Sequence, residues 1–429
     1  MEIERPQYLQ KLIQKQFNGK VKIITGIRRC GKSYLLFHLF KNHLLQSGVK
    51  KEQIIEIALD ELDNTPYRNP FKLDRFIRDR IVSPAVKYYV FIDEIQFSSA
   101  MKNPYTEEGE KITFVDALLG LMKLANLDIY VTGSNSRMLS SDILTQFRDR
   151  GDEIHMNPLT FAEFYAATPD KIHALRDYSI FGGMPYLLEL TEPEEKINYL
   201  KTLFTETYLR DIIERNHLKN SSEILEILLD FISSAIGSLT NTSKLESRFQ
   251  SEKHISISHS TIAQYLAWFE EAYLISGAKR YDVKGSRYFS TPMKYYFTDI
   301  GLRNARLNFR QVEQTHTMEN MIYNDLISRG YSVDVGVVPV RRKEGDRRVS
   351  SQLEIDFIVN RGTGRCYIQS ALRIDSKEKQ SRETASLREV KDSFRKIVVL
   401  GDDIIPWHDE NGIYYVGIQD FLLKGLEKI

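Results

Sequence analysis

The stretch VKIITGIRRCGKSYLLFHLF, residues 21–40, decides the reading of the first third of the chain. Val21–Thr25 is an apolar, β-branched run of strand length, and it stops at Gly26. After Gly31-Lys32-Ser33 the apolar residues recur at helical spacing. Strand, G-x-x-x-x-G-K-S, helix is the context in which a glycine-rich loop cradles phosphate. Gly26 and Gly31 let the backbone turn its N–H groups inward, Lys32 reaches the β- and γ-phosphates, and the Ser33 hydroxyl ligates Mg²⁺. The expected cradle is Gly26, Ile27, Arg28, Arg29, Cys30, Gly31, Lys32, Ser33 and Tyr34.

Working outward, KYYVFIDEIQ (87–96) is a continuous apolar strand ending in Asp93-Glu94. The gap from Lys32 accommodates helix, strand (IIEIAL), helix and strand, as a doubly wound parallel sheet requires. Asp93 is expected to support the metal through water and Glu94 to polarise the attacking water. A third strand, LDIYVTGSN (127–135), brings Asn135 to the sheet edge where ligands sit, positioned to orient that water. Arg148 and Arg150 close a helix before a further strand. A guanidinium there reaches a neighbouring subunit's γ-phosphate as an arginine finger, or merely caps the helix dipole.

Composition sets the outer limits. A chain of 429 residues is too long for one core, so two to four domains are expected. A net charge of +1 excludes a globally basic nucleic-acid coat and leaves local basic faces open. Only Cys30 and Cys366 occur, far apart, which fits a reducing compartment rather than a disulfide framework. No run approaches 18 apolar residues and MEIERPQYLQ lacks the core of a signal peptide, so a soluble cytoplasmic protein with no membrane partner is expected.

Together these motifs resemble the AAA+ superfamily of ATPases, with GIRRCGKS as Walker A, VFIDEIQ as Walker B and VTGSNSRMLS as sensor 1. With NPLTFAEF and GGMPYLL, the chain is similar over nearly its whole length to a prokaryotic family of predicted ATPases with a DUF4143-type C-terminal region. The resemblance implies ATP and Mg²⁺ as cofactors and ATP-dependent homo-oligomers. FGGMP (181–185) lacks a nearby sensor-2 arginine and resembles the signal-transducing ATPases, in which a proline, here Pro185, packs on adenine.

Beyond residue 160 the expectation is α/β overall: a P-loop parallel sheet (1–160), a helical lid (161–237), a winged helix (238–305) and an α/β/α domain (306–429). The lid rests on three- and four-residue spacing in EEKINYLKTLFTETYLRDIIERNHL and SEILEILLDFISSAI. The recognition helix exposes His259, Thr261 and Gln264, and a wing around Lys284-Gly285 adds Lys279, Arg280, Lys284 and Arg287, a surface for duplex DNA or for a protein partner. RRKEGDRRVS (341–350) is a further basic insert.

LEIDFIV (353–359) and CYIQSALRID (366–375) form a hairpin that resembles the PD-(D/E)XK nuclease core. Glu319 and Asp356 take its acidic positions, while Gln369 and Ala371 stand where that core has Glu and Lys. Lys377 and Lys379 lie just beyond. The expectation is an ATPase that couples nucleotide state to partner binding, with an inactive nuclease-like domain. The alternatives are a nucleotide-gated switch with negligible turnover and, third, a metal-dependent endonuclease.

Overall fold

The computed structural model describes residues 3–104, 106, 109–133, 150–216, 218, 222–310, 313–344 and 347–428, without the side chains of 215, 222, 341–344 and 347–349. Asn135 and Arg148 lie outside the described residues, as do the side chains of most of the basic insert. The chain forms two compact units. The first is Met1–Pro158 with Glu271–Tyr273, and the second is Leu159–Glu270 with Leu274–Ile429.

The first unit is built on five parallel strands: β1 (Val21–Thr25), β2 (Ile54–Ala58), β3 (Tyr88–Asp93), β4 (Leu127–Thr132) and β5 (Gly151–His155), in the order β2-β3-β4-β1-β5. Every residue of β1, β3 and β4 is buried, as expected of parallel strands covered on both faces. Period-two alternation divides them. Val21, Ile23, Val90, Ile92, Ile129 and Val131 pack with Leu73, Ile77, Leu118 and Leu121 of two covering helices. On the opposite face Phe91 and Tyr130 meet Phe40 at ring-centroid distances of 5.7 and 4.9 Å. Phe40 ends Leu35–Phe40, a π-helical segment in the helix that follows the glycine-rich loop. On that same face Lys22 lies fully buried against Asp128, which also accepts from the Tyr130 hydroxyl (2.7 Å) and the Phe17 N–H (3.0 Å).

The second unit begins with short helices, among them Phe161–Ala167, Ala174–Phe181, Pro193–Thr202 and Ser222–Ser234. Helix His259–Glu271 precedes a hairpin of β6 (Ile275–Asp282) and β7 (Arg287–Phe297) that turns at Lys284-Gly285. Helix Gln314–Ser328 leads into β8 (Ser332–Glu344), β9 (Arg347–Arg361), β10 (Gly364–Ala371), β11 (Arg395–Leu400), β12 (Trp407–His408) and β13 (Tyr414–Gly417).

One eight-stranded mixed sheet runs β12-β13-β11-β10-β9-β8-β6-β7. The hairpin expected as a wing is part of that sheet: β6 pairs in parallel with β8 through Arg280↔Val335 to Asp282↔Val337. Two of its cations have near partners. Lys284 Nζ donates to Pro339 O at 3.0 Å, and Arg287 Nε lies 3.6 Å from Asp282. Among the described residues no helix is long and apolar enough to cross a membrane.

Candidate functional site

The loop between β1 and the following helix carries three positive φ angles, Gly26 at 139°, Arg29 at 65° and Gly31 at 103°. Such left-handed positions turn successive N–H groups to one side and make an anion nest. Gly26 is also held by packing, because a Cβ there would lie 2.1 Å from Met156 O. Ile27 and Cys30 are fully buried, and the Cys30 thiol donates to Met156 O at 3.4 Å, so these two anchor the loop from beneath. Arg28 is half-buried, Arg29 and Ser33 are exposed, and the half-buried Tyr34 stacks on His38 at 4.8 Å. The buried Lys32 ammonium folds back on the loop, donating to Gly26 O at 2.9 Å and Ile27 O at 3.0 Å.

The end of β3 meets this loop. The Ser33 hydroxyl hydrogen-bonds the Asp93 carboxylate, and the Thr132 hydroxyl at the end of β4 donates to the same group. Burial raises the Asp93 pKa against those two hydrogen bonds. Carboxylate and hydroxyl oxygens are the hard donors that Mg²⁺ takes, so Ser33 and Asp93 fit that ion. Glu94 follows with φ at 50°, a left-handed backbone uncommon outside glycine. Its N–H donates to Thr132 Oγ1 at 3.2 Å, and its carboxylate accepts from the Gln96 amide.

The amino-terminal segment closes the loop from the other side. Arg5, 3% exposed, donates to Cys30 O at 3.1 Å and Asn157 O at 2.8 Å. Tyr8 accepts the Asn157 N–H at 3.1 Å. Beside β1, Thr25 donates to Glu153 at 2.7 Å and lies 3.1 Å from His155 Nδ1. Burial, with the Lys32 charge nearby, pushes His155 down to about 4.

The AAA domain family matches residues 18–165. An uncharacterized protein of Haemophilus influenzae is 32% identical over 430 residues, covering 98% of this chain and 99% of that one. The chain belongs to the same family, and its first unit holds an AAA domain. A second relative, from Methanocaldococcus jannaschii, is 25% identical over 91% of this chain and 83% of its own length. A Walker-type ATPase of Pyrococcus abyssi matches in structure at 16% identity with a TM-score of 0.48, covering 71% of this chain and 96% of that chain. Residues 172–313 match a domain of unknown function, DUF8612, which is a different family from the expected DUF4143-type region.

Of the residues expected around the AAA-domain nucleotide site, the loop from Gly26 to Tyr34, Asp93 and Glu94 lie together in the first unit. Arg150 is exposed just before β5, and its carbonyl accepts from Val21 N at 2.9 Å. Pro185 belongs to the second unit, where it opens the short helix Pro185–Glu189. The preceding glycines answer to packing there. A Cβ on Gly182 would lie 2.2 Å from Asp299 Oδ1, and Gly183 N–H donates to Asp299 Oδ2 at 2.6 Å. Arg5 and Asp299 carry no sequence motif of their own, while Thr132 and Gln96 lie inside VTGSNSRMLS and VFIDEIQ with no role assigned to them there.

Proposed function

We propose that this chain binds ATP with Mg²⁺ in its first unit, hydrolyses it, and uses nucleotide state to set partner binding by the second. The observation that supports this best is the convergence of Lys32, Ser33 and Asp93 at the edge of β1 and β3, the ligand edge of an open parallel sheet. Mg²⁺, when bound, neutralises charge on the β- and γ-phosphates. Lys32 exchanges its two loop carbonyls for phosphate oxygens, Ser33 and Asp93 hold the metal, and Glu94, oriented by Gln96, takes the proton of the attacking water. Asn135 positions that water, and Arg148 or Arg150 reaches the site of a second copy.

The partner is a protein docked on the helices and the β6–β7 hairpin of the second unit, acting in the cytoplasm, where Cys30 and Cys366 stay reduced and buried. Duplex DNA is the second class of partner, supported by an Arg287 side chain 72% exposed on the hairpin. Steady-state ATPase assays test the enzyme reading. Wild type should turn over, Glu94→Gln should bind ATP without turnover, and sedimentation should show ATP-dependent association that is lost in Arg148→Ala/Arg150→Ala. Tight binding with no turnover in wild type would leave a nucleotide-gated switch instead. Duplex binding that falls with salt and weakens alike for all sequences in Lys284→Ala/Arg287→Ala would establish the DNA class.

A further inference from the structure

Helix Gln314–Ser328, β9 and β10 bring Glu319, Asp356 and Gln369 together, as the nuclease-like core leads one to expect, with Glu354 added two residues before Asp356. Asp356 Oδ2 accepts from Gln369 Nε2 at 3.0 Å, from Ser370 N at 2.8 Å and from Ser370 Oγ at 2.7 Å. Ala371 is 5% exposed and packed in the core, Lys377 is exposed, and Lys379 faces Asp375 at 3.8 Å. The two lysines beyond the core thus have other surroundings. A third lysine, from β7 and outside the nuclease-like segment, enters instead. Lys294 Nζ lies 2.8 Å from Glu319 Oε1, 2.8 Å from Glu354 Oε1 and 3.7 Å from Asp356 Oδ1. Tyr296, two residues along β7, donates to Glu319 Oε1 at 2.6 Å.

We propose that Lys294 is the resident cation of this acidic site, holding the place that a divalent metal takes in a working nuclease core, so that the second unit binds no metal and cleaves no phosphodiester. Three observations carry it. The ammonium is central, within ion-pair distance of all three carboxylates. The core of the group is buried, with Lys294 3%, Glu319 5% and Asp356 8% exposed, while the Glu354 side chain, 37% exposed, reaches the surface. Tyr296 donates to Glu319 Oε1, Gln369 and Ser370 donate to Asp356 Oδ2, and among the described residues no set of three His, Cys, Asp or Glu side chains is spaced to hold a metal ion. Burial opposes the Lys294 charge, yet the three carboxylates outweigh it and keep the ammonium above its ordinary range. A Lys–carboxylate cluster of this kind satisfies itself, and removal of its cation strands buried negative charge.

The expectation of a metal rests on the nuclease-like reading above, and ATP binding at Lys32 is a separate test of the nucleotide reading. Mn²⁺ binding to the nucleotide-free full chain, followed by electron paramagnetic resonance, should be the same in wild type and Asp356→Asn. Lys294→Ala should melt well below wild type in chelator. With Mn²⁺ at about 100 times its Kd, that variant should recover by roughly 5 °C or more, and Lys294→Ala/Asp356→Asn should not. Any of three results would overturn the proposal: a wild-type Mn²⁺ site lost in Asp356→Asn; a Lys294→Ala protein that melts alike, or stays unfolded, with and without Mn²⁺; or metal-dependent cleavage of duplex DNA abolished by Asp356→Asn.

Discussion

The Gln96 amide donates to the carboxylate of Glu94, the proposed base. Glu94 leaves β3 in a left-handed backbone conformation, and its carboxylate is held by the Gln96 amide two residues on. A base works by being within reach of its proton, so orientation counts before basicity. Gln96→Ala should lower kcat about tenfold and leave ATP affinity within about twofold, since phosphate is held by other groups. An unchanged kcat would show that Gln96 does not position the base. Lys32, Ser33 and Asp93 were legible because local order exposes them: an apolar strand, then glycines, then Lys-Ser, and later another apolar strand stopping at an acid. Gln96 was quoted within the same motif without a role, because no spacing rule ties an amide to a glutamate two residues back. Arg5 and Thr132 act on loops far off in sequence. Lys294 acts on residues of another segment, so only the assembled sheet shows what it faces.

At the scale of elements, two buried carboxylates decide local geometry. Lys22 of β1 and Asp128 of β4 face one another in the sheet, both nearly solvent-free, and burial lowers the Lys22 pKa against the pull of Asp128. Removing one partner of such a pair leaves a bare charge. Asp128→Ala should therefore destabilise the first unit by about 3–5 kcal/mol, read by denaturant unfolding. A loss under about 1 kcal/mol would mean that water replaces the carboxylate. In the second unit Asp299 ties Gly183 to the start of helix Ile300–Arg306, accepting from Gly183 N and Leu302 N. Gly182→Ala adds a Cβ at a φ of 78° and against that carboxylate, so it should cost about 2 kcal/mol or more. Stability equal to wild type would remove the packing account of these glycines. The helices and the β6–β7 hairpin were legible from their periods. The parallel pairing of β6 with β8 was not, because strand order in a mixed sheet has no local period, so the hairpin was read with the helices before it and not with the strands after it.

Taken as a whole, the molecule joins an AAA domain to a second unit whose buried carboxyls make its stability depend on pH. Burial first, then the Asp356 charge, pushes Glu319 up to about 7, against the pull of Lys294 and Tyr296. Burial pushes Asp299 up to about 6. A folded-state pKa above the unfolded one means that the folded state holds its proton more tightly. The Glu319 contribution is thus fully present below its unfolded value and is lost as pH rises through about 7. Between pH 4.5 and 7 wild-type stability should fall relative to Glu319→Gln by on the order of 1–3 kcal/mol. Parallel stability curves for the two proteins would contradict it. The proposed ATP site stands on Lys32, and equilibrium titration of wild type and Lys32→Ala with a fluorescent ATP analogue in Mg²⁺ tests it. Saturable wild-type binding, weakened at least about a hundredfold by the substitution, is the predicted result. Equal affinity in the two proteins would contradict it.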